Sequence, residues 1–574
     1  MKKTLIFCLL LATATAAQAQ QDELNRSMEV TREYEPTLRT ATKLGTTPNF
    51  TDTVALRPDL RYGIRPNPLG YGFEVAPIRA ANVDASVYRP LTPFYLKAGL
   101  GYPLRSVLDF NYSPEMKGRG TLGAYLNHLG SFADIKNTYG IKQFAPHSYN
   151  RAGIYGEHRF GRLMVGGEAG YDYDLISRYG GQATRPGDVR LPYRQTYNTA
   201  HAGIVFGTPF TDLTYFNYRV GAKGYYFFDH FDNHETNINP YFELGKRFGG
   251  QHQVTLLGSF DNYSFKPKAD EYTSYKHTNR IYHVAPQYEL VGQRFGFTLG
   301  FEYVHANSGL DDLVTNIPDL SIPRDKKSYF FPKFHMKVDA FEGAFVPYID
   351  IDGRLWAGGY RSAARLNPYI RTSSFVPNTA EYTGRIGLRG DIGSAFSYKV
   401  FGGLSIYKDI AFFETDRRMS PNLMRPIVYD ANQWTIGGEL AGRIAGAFDL
   451  TAAFQYYGWN RIKQSGMKLD HAGGMPNFEG SLGVRYSYRD KFTAHLQGTV
   501  YGRSYWYSAS MSQSLYEEKV SPQFELNLEL QYNISRKVGI YVNGTNLTGS
   551  KLYFYGLCYP MLGAGFDAGV KLSF

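Results

Sequence analysis

The chain is 574 residues long with a formal charge of +11, and its basic residues are spread along it without a run, which excludes a nucleic-acid surface. Two cysteines, Cys8 and Cys558, exclude a disulfide scaffold and a cysteine-ligated zinc site. Aromatic residues make up 16% of the chain, with 48 Tyr and 39 Phe beside 61 Gly. That is too rich for an ordinary soluble enzyme, but it suits a membrane barrel, which uses Tyr and Phe in girdles at both interfaces and Gly at tight turns.

In chain order, Lys2 and Lys3 precede the apolar run Leu5 to Ala12, and Ala17-Gln18-Ala19 offers small residues at a cleavage site. Residues 1–19 therefore read as a secretory signal peptide. Residues 20–92 are interrupted by Pro36, Pro48, Pro58, Pro66, Pro68, Pro77 and Pro90, and carry no sustained alternation. They predict an irregular N-terminal segment, a reduced plug or a lumenal or periplasmic segment.

From residue 93 to 574 the pattern becomes a series of amphipathic strands. In Gln523 to Ile534, Phe524, Leu526, Leu528, Leu530, Tyr532 and Ile534 alternate with Gln523, Glu525, Asn527, Glu529, Gln531 and Asn533. Lys491 to Trp506 and Trp434 to Ile444 behave alike. A period of two separates apolar from polar side chains on the faces of a strand, and no helix would do so. Short links at 160–162, 247–251, 292–295, 341–344, 392–395, 445–448, 488–491 and 535–538 alternate with long polar ones near 131–147, 177–192, 266–279, 306–327, 359–379, 411–430, 459–476, 508–520 and 548–561. The fold class is all-β: a transmembrane antiparallel β-barrel of about 22 strands, with short periplasmic turns and long extracellular loops. The last stretch, Leu562 to Phe574, places Leu562, Ala564, Phe566, Ala568, Val570, Leu572 and Phe574 on one face. Ending on an aromatic residue, it resembles the assembly signal of outer-membrane barrels, with Phe566, Ala568, Val570, Leu572 and Phe574 as its row.

The closing strands carry a more specific pattern. Ile540-Tyr541-Val542-Asn543-Gly544-Thr545-Asn546-Leu547, then Tyr553, then Tyr559-Pro560 and the terminal strand resemble the end of the TonB-dependent outer-membrane receptors. Met561-Leu562 depart from it, standing where that family usually has a Gly-Arg pair. The resemblance implies a wide barrel, a plug and energised uptake, yet residues 20–92 are too few for a complete plug. Met28-Glu29-Val30-Thr31 looks like the segment that pairs with TonB by strand addition.

Expected lumen-facing residues are Glu525, Asn527, Glu529, Gln531, Gln497 and Arg503. Asp229, His230, Asp232, His234 and Glu235 form the densest group of possible metal ligands, with a solvated loop tip as the plainer reading. No catalytic constellation and no cofactor motif is visible. The expected function is solute uptake across the outer membrane, with a passive porin or an assembly partner of envelope proteins as alternatives. Expected partners are outer-membrane lipid, the barrel assembly machinery, and TonB or another envelope protein, with no nucleic acid.

Overall fold

The computed structural model describes residues 92–574 except 115–119, 139, 141, 181–193, 211–212, 269–275, 293, 312–324, 372–373, 394, 417–422, 465–466, 490 and 510–514. The reduced plug expected over residues 20–92 and the TonB-box candidates Met28 to Thr31 lie outside the described residues, apart from residue 92.

Antiparallel strands of 8 to 21 residues follow one another around a ring. The last strand, Gly565–Ser573, pairs with the first, Phe94–Tyr102, from Tyr95 against Ser573 to Tyr102 against Phe566. Phe94 and Phe574 exchange backbone hydrogen bonds of 2.9 and 3.1 Å beyond that ladder, and their rings stack at 4.4 Å. Closure leaves no edge, the condition for a sheet to survive in lipid. The barrel has 22 strands. Three further short strands, Met467–Lys468, Ser504–Ala509 and Leu515–Val520, extend the sheet beyond it.

The alternation read from the sequence is the in/out alternation of the wall. On the terminal strand Phe566, Val570 and Phe574 are exposed while Asp567 is buried. Around the ring an outward apolar band includes Ile204, Ile238, Leu299, Ile386, Leu404, Ile436 and Leu482. Every short link expected from the sequence is present and lies at the end where Phe574 sits, because the strands alternate in direction from there. A closed antiparallel ladder with an outward apolar band places the chain in the outer membrane.

Three differences from the sequence reading have physical causes. Phe396–Asp416 and Met424–Ile444 are both 21 residues long and run into the stretch expected to be a loop at 411–430. Ile410, Ala411, Phe412 and Phe413 are all buried there, so neither face is polar and the alternation disappears. The expected strand Lys491 to Trp506 is two: Phe492–Tyr501 in the wall and Ser504–Ala509 in a hairpin outside it. Gly502 and Arg503 form the break, where the Gly502 N–H donates to the Phe478 carbonyl and the Asn477 N–H to the Arg503 carbonyl. Lastly, the terminal strand starts at Gly565 rather than Leu562.

Candidate functional site

The lumen wall is polar and internally paired. Inside the barrel the His283 imidazole lies 2.8 Å from Glu302 and 3.9 Å from Asp261, and Lys333 reaches Glu302 at 3.2 Å. Arg219 pairs with Glu243 at 3.4 Å and Lys399 with Glu439 at 3.4 Å. Near the seam, Arg105 lies 3.9 Å from Asp567, which also accepts a 3.0 Å hydrogen bond from the Asn543 amide. Of the residues expected to face inward, Glu525, Asn527 and Glu529 are buried, and Gln531 and Gln497 are half-buried. Asn527 supports the turn that follows the next strand, its carbonyl accepting the Asn546 N–H at 2.8 Å. Arg503 is exposed, in the link between Phe492–Tyr501 and Ser504–Ala509.

At the extracellular end the long loops fold on one another. The links that follow Ser177, Trp356 and Thr545 leave the ring about a third of its circumference apart, so contact among their described residues, 178–180, 357–371, 374–378 and 546–564, must cross the opening. They meet in an aromatic cluster. Tyr369 stacks on Tyr559 at 3.5 Å between ring centroids, Tyr179 stands edge-on to Tyr369 and Tyr559 at 6.1 and 5.2 Å, and Tyr555 packs on Tyr369 at 5.5 Å. Tyr179, Tyr369 and Tyr559 are fully buried. Several polar groups of the cluster are bonded across loops, as burial favours. The Tyr179 hydroxyl donates to the Pro560 carbonyl at 2.9 Å, Arg178 donates to the Ile370 carbonyl at 3.1 Å, and Asn367 donates to the Tyr555 carbonyl at 3.2 Å. Asn137 and Thr138 from loop 132–146 donate to the carbonyls of Tyr179 and Leu557. Burial holds the phenols of Tyr360, Tyr369 and Tyr559 well above their ordinary range, so they stay neutral in this cap.

Loop 357–378 is the keystone, and the residues that look like metal ligands are what fasten it. The loop contains a short helix, Tyr360–Leu366, preceded by Gly359, which has no side chain to cap it. Its first turn has no acidic residue of its own. Glu235, from the strand His234–Phe248, supplies the carboxylate instead: Oε2 accepts the Tyr360 N–H at 2.7 Å and the Arg361 N–H at 3.3 Å, while Oε1 accepts the Tyr225 hydroxyl at 2.7 Å. An anion there satisfies open N–H groups and opposes the helix dipole. A Cβ on Gly359 would meet Glu235 Oε2 at 2.8 Å, so glycine lets the carboxylate approach. Asp229 accepts the Tyr360 hydroxyl at 2.5 Å and the Gln195 amide at 3.0 Å.

Asp229 and Glu235 are therefore buried, whereas His230 and Asp232 are exposed and His234 is half-buried. Asp232 pairs with Lys268 at 3.0 Å. The plainer reading of a solvated loop tip holds for His230 and Asp232 and is corrected for Asp229 and Glu235, because the link at 230–233 is a tight turn that tucks both carboxylates under the neighbouring loop. Among the described residues no three or more His, Cys, Asp or Glu side chains are grouped to hold a metal.

The sequence reading missed Tyr179, Tyr369 and Tyr555 as cap residues. The available signal was tyrosine lying in polar loops, beyond the membrane interfaces where girdles use it.

No protein-family profile matches the chain, and no curated protein matches it in sequence. Solved structures do match in shape. The siderophore receptor PirA from Acinetobacter baumannii is 13% identical with a TM-score of 0.62, over 85% of this chain and 81% of that one. The FrpB iron transporter from Neisseria meningitidis (F5-1 variant) is 10% identical with a TM-score of 0.66, over 85% and 83%. The copper transporter OprC is 12% identical with a TM-score of 0.61, over 85% and 81%. The fold is that of an outer-membrane barrel, a 22-stranded one of the shape these neighbours share.

Proposed function

We propose that this chain admits a solute across the outer membrane through a lumen gated by its extracellular loop cap. The observation that carries the reading is the meeting of Tyr179, Tyr369, Tyr555 and Tyr559, from three separate extracellular links, in one buried aromatic cluster above a polar, charge-paired wall. A passive porin needs a standing opening; a fastened cap implies that something must release it. The barrel's width and the cargoes named for its structural neighbours, siderophores, iron and copper, favour a solute of the size of a metal complex. The inward carboxylates, amides and basic groups supply hydrogen bonds and mixed charge to such a solute in passage. Met28 to Thr31 would carry the coupling to TonB by strand addition.

The test is single-channel recording in planar bilayers together with uptake in cells. Wild-type protein is expected to conduct little, and Tyr369→Ala with Tyr559→Ala to conduct in large steps. Energised uptake is expected to disappear when residues 28–31 are deleted. A wild-type barrel that conducts steadily favours the porin. A closed barrel recovered from detergent extract with stoichiometric envelope proteins, and with no uptake, favours the assembly role.

A further inference from the structure

The outward face of the wall carries a basic patch that the transport reading does not use. Strands Lys276–Val291, Phe295–Asp311 and Asp325–Val338 are consecutive, and their lipid-facing side chains are set by the exposed Tyr282, Val284, Leu299, Tyr303 and Phe330. Tyr282, Tyr303 and Phe330 form the upper aromatic girdle there, the level at which such rings mark the hydrocarbon boundary. Continuing at a period of two toward the extracellular end, the next outward residues are Arg280, then His305 and Asn307, then Ser328 and Lys326. Arg280, Asn307 and Lys326 lie in one ladder row, with Arg280 opposite Asn307 and Asn307 opposite Lys326.

Two cations thus stand two strand spacings apart, about 10 Å, directly above the girdle. Both are exposed, and among the described residues neither has an acidic partner. Elsewhere on the outer face the comparable cation is neutralised: Lys408 contacts Asp430 at 2.7 Å. Between the two cations is a set of hydroxyl and imidazole groups, with Ser328 Oγ 2.9 Å from His305 Nδ1 and 3.2 Å from the Tyr303 hydroxyl. A guanidinium and an ammonium with no acidic partner among the described residues, beside neutral donors at the depth of lipid headgroups, match a phosphate ester.

We propose that Arg280 and Lys326, with His305, Asn307 and Ser328 between them, form a binding site for the phosphate-bearing headgroup of an outer-leaflet glycolipid. The acyl chains would lie against Tyr282, Tyr303 and Phe330. The proposal depends on the barrel's orientation in the membrane and is independent of what the lumen carries.

The experiment places the full chain in phosphatidylcholine nanodiscs containing diphosphorylated or dephosphorylated lipid A, and reads retained lipid by native mass spectrometry. Wild type is expected to retain diphosphorylated lipid A, and Arg280→Gln with Lys326→Gln to lose about tenfold or more of that occupancy. Heat-modified mobility on gels, unchanged in the double variant, shows that the barrel is intact. Lys408→Gln is expected to retain lipid A as wild type does. Equal occupancy in wild type and double variant overturns the proposal, as does equal retention of the dephosphorylated lipid. A Lys408→Gln loss as large as the double variant's shows that total charge decides retention, which also overturns it. Complete displacement by millimolar inorganic phosphate would make this a site for free anions and reject the lipid assignment.

Discussion

The seam and the cap are built from the same antiparallel ladder and meet different surroundings. At the seam, Phe94–Tyr102 and Gly565–Ser573 are strands of 9 residues each, just long enough to cross the hydrocarbon layer. The link between Phe94–Tyr102 and Arg105–Tyr112 is only residues 103–104. On the taller wall, Phe396–Asp416 and Met424–Ile444 run 21 residues each, and their upper halves are buried by loops on the side that would otherwise be wet. Lipid on one face and lumen on the other enforce a period of two. Protein on both faces removes it. The seam is held by backbone bonds with an aromatic pair at each end, Phe94 with Phe574 and Tyr102 with Phe566, whereas the cap is held by side chains from loops distant in sequence. The cap is therefore the part that can open while the wall stays shut.

Four experiments sharpen or break this contrast. The largest effect is expected from Tyr369→Ala with Tyr559→Ala, since each removes a fully buried aromatic from the cap at a cost of about 3–5 kcal/mol. Protease cleavage in loops 357–378 and 546–564 should accelerate while the barrel keeps its heat-modifiable mobility. A barrel that unfolds along with the cap would show that the two are not separate cooperative units.

Next is Glu235→Ala, which removes the acceptor for two helix N–H groups and the Tyr225 hydroxyl. A loss of roughly 1.5–3 kcal/mol predicts that amides in 360–366 exchange tenfold to a hundredfold faster, with those of Phe566 to Ser573 unmoved. If the helix amides exchange at the wild-type rate, Glu235 is not the fastener.

Phe574→Ala is expected to cost the folded seam only about 0.5–1.5 kcal/mol beyond lost burial, the worth of one stacked pair. Because Phe574 closes the expected assembly row, the yield of inserted barrel should fall more than its stability, as measured by membrane fractionation. Cap exchange should be unchanged.

The smallest effect is expected from Glu529→Gln made in the cap-opened variant. It should shift the reversal potential toward anions by a few millivolts; no shift would take Glu529 out of the path.

Much of this was legible in advance. The in/out row from Phe566 to Phe574, the inward Glu525, Asn527 and Glu529, and the position of every short link expected follow from alternation alone, because lipid and water act on each residue separately and leave a mark on each. The expected strand Lys491 to Trp506 reads as one because a hairpin beyond the wall alternates as the wall does, so the period cannot say where a strand leaves the barrel. Asp229 and Glu235 read as ligands because their spacing is local, while the groups they hold, Tyr360 and its helix, lie more than a hundred residues away.

By itself the sequence determined the class of barrel, the sense of its faces and the side from which loops emerge, since each of these is a short-range response of a strand to its two solvents. The tertiary structure alone decided that three links a third of a ring apart close on Tyr179, Tyr369 and Tyr559, and that Glu235 caps a helix distant in sequence while Asp229 holds its Tyr360 hydroxyl. Those contacts are set by ring closure, which brings distant segments together at a place no local pattern records.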